Sequence, residues 1–258
     1  MSAFNREKVE DDRLKFHVRD VRLGTRVFRV ISPRPGLSMR FATNYFHDTW
    51  HIVCDGNGWR LLSRVFGSLS IEKMPNTLFW IGPELMEPAP FDQEPSRPVL
   101  IVPSTVTHIG KDDVKQLVVK LKRCRYPSRT IRWNAPPDIE RVLLRWLEKP
   151  RHVETRLVGG AITIRAEALA LRELSWRTYP DLDLKTKTTY FYLDDARGLR
   201  WMDHGNVDGE IQYYRHFAMI SRESATTRKR ILDRNPVLQG DALVQEIHDS
   251  PVRWSLRY

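Results

Sequence analysis

From Trp50 to about residue 158, short apolar runs alternate with segments of helical periodicity, and this alternation restricts the fold more than any other feature. "TWHIVCD" reads as a buried strand that runs through "GNG" into residues 59–69, where Leu62, Val65, Phe66 and Leu69 recur at helical spacing. "TLFWIG" and "VLIVPS" are further strands, and the stripe Val114, Leu117, Val118, Leu121 predicts an amphipathic helix with Asp112 near its start. "RTIRW" is a strand, "PPDIERVLLRWLEK" a helix with proline in its first turn, and "VETRLV" a strand again. Strands that alternate with helices cover both faces of a sheet, which favours parallel pairing. Before this stretch, "KFHVRDVRL", "RVFRVIS" and "SMRFATNYF" have β character, with Gly24 and "SPRPG" as turns. After it, "AITIRAEALALRELSW" reads as helix, residues 185–220 as antiparallel strands, and "SATTRKRILDR" and "DALVQEIHD" as helices. The expected class is mixed α/β: a largely parallel layer in the middle, with antiparallel, β-rich N- and C-terminal parts.

Residues 1–12 read as a flexible polar arm and 13–258 as one mixed α/β domain, with a sub-boundary near 158–180. Five prolines between residues 83 and 98 exclude helix and central strand there, leaving a surface loop or a crossing between elements. A composition of 41% hydrophobic and 29% charged residues excludes a disordered chain. No apolar run approaches the roughly 18 residues of a membrane span, and the charged N-terminus lacks the apolar core of a signal peptide. A cytoplasmic location is expected, and Cys54 and Cys124, far apart in apolar or basic surroundings, read as buried, reduced thiols.

The net charge of +10 is unevenly placed. Lys and Arg outnumber Asp and Glu by eight in residues 101–180, by two in 1–100 and not at all in 181–258. The excess is densest in "KQLVVKLKRCRYPSRTIRW", where Lys115, Lys120, Lys122, Arg123, Arg125, Arg129 and Arg132 are interleaved with Tyr126 and Trp133. Lys115 and Lys122 fall on the side of the predicted helix away from its apolar stripe. Localised cations draw polyanions, arginines suit phosphate oxygens, and an exposed aromatic ring can stack on a base. The pattern implies a non-enzymatic nucleic-acid-binding protein that uses residues of about 111–177, with no cofactor.

Two other classes remain open. In a scaffold or assembly subunit of a larger complex, the eight tryptophans and the proline-rich loop would serve a protein partner. The third class comes from "RTYPDLDLKT", where Asp181 and Asp183 alternate, so in a strand both carboxylates point to one side about 7 Å apart. Such a pair, joined by Asp194 or Asp195, has the donor set for Mg²⁺-dependent phosphoryl transfer. With Gly159 and Gly160 ahead of a predicted helix, this resembles the core of the nucleotidyltransferase superfamily, and locally the abortive-infection type of nucleotidyltransferase toxin. That resemblance implies that Gly159 and Gly160 contact a triphosphate and that Asp181 and Asp183 hold Mg²⁺. The alternative for the aspartates is a hairpin, with "YFYL" and "LRWM" as strands and "DDARG" as the turn. "DGNGW" (residues 55–59) is a tight turn with a helix cap, lacking the third glycine of a dinucleotide fingerprint. In "HDTWH" the two histidines would stand roughly 13 Å apart in an extended chain, too far to share a metal.

Overall fold

The structure, a computed structural model, describes residues 15–46, 49–123, 126–133, 153–178, 188–193 and 209–250. β1 (Lys15–Leu23), β2 (Arg26–Pro33), β5 (Thr77–Ile81), β6 (Val99–Pro103), β7 (Arg129–Arg132), β8 (Val153–Val158) and β9 (Ala161–Ala166) form a seven-stranded sheet in the order β7-β1-β2-β5-β6-β9-β8. β3 (Phe41–Phe46), β4 (Thr49–Cys54), β10 (Thr188–Tyr192) and β11 (Glu210–Tyr214) form a four-stranded sheet in the order β10-β11-β4-β3. The helices are α1 (Gly56–Ser70), α2 (Lys111–Arg123), α3 (Ala168–Arg177), α4 (Phe217–Arg234) and α5 (Gly240–Asp249).

The chain has the mixed α/β fold read from its sequence. β2–β5, β6–β9 and β4–β11 pair in parallel, and the remaining pairs are antiparallel. Each parallel pair includes one strand from the stretch between residues 49 and 103. The predicted helix at 136–149 lies outside the described residues, as do the N-terminal arm and Cys124.

Layering follows from which faces are apolar. On one face of the seven-stranded sheet, Val21, Phe28, Val30, Leu78, Trp80, Leu100 and Val102 are covered by the Val114, Leu117, Val118 and Leu121 stripe of α2. On the other face, Phe16, Ile31, Phe79, Ile101 and Ile164 join a core with Leu62, Val65 and Phe66 of α1 and Leu171 and Leu174 of α3. That core continues through Ile52, Cys54, Ile211 and Tyr213 to the four-stranded sheet, so α1 is packed between the two sheets. α1 and α3 approach closely at small residues: the Ser63 hydroxyl donates to Ser175 O at 2.8 Å, and the Ser175 hydroxyl to Ser63 O at 2.7 Å. The outer face of the four-stranded sheet packs Ala42 and Val53 against Phe91 and against Phe217 and Ile220 of α4. Cys54 is a free, buried thiol, and burial raises its pKa well above the ordinary value. No helix among the described residues is long and apolar enough to cross a membrane.

One local expectation changes, and one choice between two alternatives is decided. "AITIRA" is strand β9, not the start of a helix. Ala161, Ile162, Thr163, Ile164 and Ala166 are all buried, so the run carries no alternation to betray a strand. Helix resumes only at Ala168. The proline-rich stretch is a crossing whose middle is spent on internal packing. Ala89, Pro90, Phe91 and Asp92 are buried, Glu87 N donates to Phe41 O at 2.7 Å, and the Gln93 amide donates to Ser221 O at 3.0 Å on α4. Pro83, Pro88 and Pro95 stay exposed at its surface.

Candidate nucleic-acid interface

The cations of α2 fall where the heptad spacing puts them. With Val114, Leu117, Val118 and Leu121 turned into the core, Lys115, Val119 and Lys122 make one outward row, and Lys120 and Arg123 make the row beside it. All four charged residues are exposed. Lys115 pairs with Asp112 one turn earlier at 2.9 Å, which holds the Asp112 carboxyl below its ordinary pKa. Lys120 donates to Arg22 O at 2.6 Å, tying the helix to β1 through a carbonyl and leaving the ammonium charge uncompensated. Lys122 and Arg123 meet no carboxylate among the described residues.

β7 divides the remaining arginines. Ile131 and Trp133 pack into the core on the α1 side, and Trp133 lies 5.8 Å from Phe16 and 6.1 Å from Phe79 between ring centroids. Strand alternation therefore puts Arg129 on the α1 side, where it meets Asp20 at 3.9 Å. Arg132, paired in register with Lys15, sits on the α2 side. Of the two aromatic candidates, Trp133 is partly buried against the core and Tyr126 is 83% exposed beside the end of α2. Arg125 lies outside the described residues. At the other end of α2, a cleft of about 130 Å³ is lined by Lys111, Glu154, Thr163, Arg156 and Arg165. Its two arginines are answered: Glu154 pairs with Arg156 and approaches Arg165 at 3.9 Å, and Arg165 donates to Ile109 O at 2.6 Å.

Gly159 and Gly160 do not precede a helix. They are the two-residue turn of the β8–β9 hairpin, with φ of 62° and 77°, as such a turn requires. A side chain on Gly159 would come within 2.9 Å of Lys115 Cα, so the turn is glycine because it is pressed against α2. The phosphate contact expected of them rested on a strand-to-helix junction, and that junction is absent here. Asp181, Asp183, Asp194 and Asp195 lie outside the described residues, as does "LRWM". The strand containing "YFY" pairs antiparallel with β11, which begins at Glu210. In "DGNGW", Asp55 caps α1 and accepts from Gly58 N at 2.8 Å, so the helix start already holds a carboxylate.

One polar cluster was missed at the level of sequence. On the outer face of the four-stranded sheet, register aligns Asn44, His51 and Glu210 across β3, β4 and β11. His51 Nε2 is 3.6 Å from Glu210 Oε2, while the Gln212 amide donates to Glu210 Oε1 at 2.8 Å and lies 3.3 Å from His51 Nδ1. Tyr214 Oη donates to Gln212 Oε1 at 3.4 Å. An imidazole beside a carboxylate can exchange a proton, but His51 is 4% and Glu210 7% exposed, so the pair sits in the interior. Burial raises the Glu210 pKa, partly offset by the Gln212 hydrogen bond. The folded state therefore binds the proton more tightly than the unfolded state, so stability is full below about pH 4.5 and declines as pH rises through the folded value. Glu210→Gln removes that decline. Thermal melts should show no gain at pH 4 and a gain or no change at pH 7; a larger loss at pH 7 than at pH 4 would mean that the charge itself is held by a partner. Among the described residues, no three His, Cys, Asp or Glu side chains come together as a metal site.

Comparison with protein-family models, with curated proteins and with solved structures returned no match to the chain.

Proposed function

We propose that the protein binds nucleic acid through phosphate contacts along the outer side of α2. The observation that carries this reading is the group Lys120, Lys122 and Arg123: three exposed cations on adjoining rows of one helix, with no carboxylate partner among the described residues. Lys115 and Arg132 extend the positive field on the same side of the sheet. A rigid helix that presents point charges matches the regular spacing of phosphates without reading bases, so binding is tolerant of sequence. Exposed Tyr126 beside the helix end gives a surface on which an unpaired base can stack.

The test is a salt series with labelled single- and double-stranded DNA and RNA. For duplex DNA, log affinity should fall linearly with log salt at about 0.9 per phosphate neutralised, so three contacts give a slope near −2.7. No binding at low salt, or binding indifferent to salt, would remove the proposal.

A further inference from the structure

Arg19 is 8% exposed, yet no carboxylate among the described residues pairs with it. Its Nη1 donates to the buried Ser32 hydroxyl at 2.6 Å, and its Nε is buried with no partner. Other arginines drawn into the fold are answered: Arg29 by Glu72, Arg40 by Glu87, Arg177 by Glu173 and Arg228 by Glu94. A buried guanidinium without a counter-charge is costly to keep, so this departure calls for a cause.

The surroundings of Arg19 supply one. Val21 and Leu23 of β1 face α2, so alternation puts Lys15, His17 and Arg19 on that same side. Register adds Ser32 and Thr130 on either side of His17, and Arg132 opposite Lys15. Among the described residues, the corner thus presents cations, an imidazole and hydroxyl groups, and no acid. Asp20, adjacent in sequence, belongs to the other face and meets Arg129. Burial first, then the charges of Arg19 and Arg34, hold the His17 pKa below its ordinary value.

We infer that the corner formed by Arg19, Ser32 and His17, with Lys15 and Arg132 at its rim, is a binding site for a phosphate group. An anion held there lies against the Arg19 guanidinium and cancels its charge. Two sources share that chemistry: free phosphate, and the terminal phosphate of a nucleic-acid strand laid along the α2 side. The inference stands on Arg19 and does not require the nucleic-acid reading.

The experiment is thermal denaturation of the full chain at fixed ionic strength, with inorganic phosphate replacing chloride. The wild-type midpoint should rise with the logarithm of phosphate concentration, as for any ligand that binds the folded state alone. Arg19→Met should fold and lose that rise. Ser32→Ala, which keeps the charge but frees the guanidinium, should need several-fold more phosphate for the same shift; it decides the matter together with the wild type should Arg19→Met fail to fold. A second arm compares one short oligonucleotide with a 5′-phosphate, a 3′-phosphate or hydroxyl ends. About tenfold tighter binding of one phosphorylated end, lost in Arg19→Met, identifies the strand terminus as the source, whereas a shift with inorganic phosphate and no end preference identifies the free anion. A wild-type midpoint indifferent to phosphate, together with no end preference, overturns the site. A phosphate shift in a chain that binds no nucleic acid removes the proposed function and leaves this site standing.

Discussion

Gly58→Ala is expected to destabilise the protein by about 2–3 kcal/mol, although glycine to alanine inside a helix ordinarily gains about 1 kcal/mol. The reversal comes from the space available. A Cβ on Gly58 would stand 2.8 Å from Cys54 Cβ, 2.9 Å from Arg40 O and 3.1 Å from a ring carbon of Phe41. None of these can give way cheaply. Cys54 is fully buried in β4, and Arg40 O accepts the backbone N–H of Asp55, which caps the helix. Moving α1 outward would also open the Ser63–Ser175 contact with α3. Gly56 is the comparison built into the same turn: a Cβ there meets only Tyr213 Cε2 at 3.6 Å, so Gly56→Ala should be neutral or stabilising by up to about 1 kcal/mol. Thermal melts of the two variants should move in opposite directions, the Gly58 midpoint falling by about 4–10 °C. Equal midpoints would mean that the helix start does not rest against β4 in this way.

The same four residues, Asp55 to Gly58, show what was legible in the chain. A carboxylate at a strand end, two glycines and a periodic run are local features, and they predicted the turn, the cap and α1. α2 was equally plain, because one face of it is apolar and the other is not. β9 was hidden because both of its faces are buried, which removes the period-two signal and lets "AITIRA" merge with the helix that follows. The Gly159–Gly160 pair was read as a strand-to-helix junction, because the strand that follows it was taken for a helix. His51 and Glu210 are brought together only by the parallel pairing of β4 with β11, a contact between distant stretches that no local spacing encodes. Arg19 is one arginine among many in the sequence, and only its burial without a carboxylate distinguishes it. Likewise, charge density put Arg129 and Arg132 in a single basic run, while the alternation of β7 sends them to opposite faces.

That division makes the functional proposal sharp enough to fail. Lys120, Lys122 and Arg123 replaced together by glutamate should weaken duplex binding by two orders of magnitude or more, at roughly 1 kcal/mol per phosphate contact removed. The slope of log affinity against log salt should shrink by about 2.7. The fold should tolerate the change, because all three side chains are exposed and, among the described residues, their only hydrogen bond to the protein, Lys120 to Arg22 O, is itself on the surface; an unchanged melting midpoint is the control. Arg129→Glu carries the same change of charge in the same stretch of sequence, but from the α1 side and beside Asp20. If α2 is the contact surface, this variant should retain most of the affinity and nearly the full salt slope. If the protein responds only to net charge, Arg129→Glu will cost about a third of what the triple variant costs, and the helix loses its claim to be the interface.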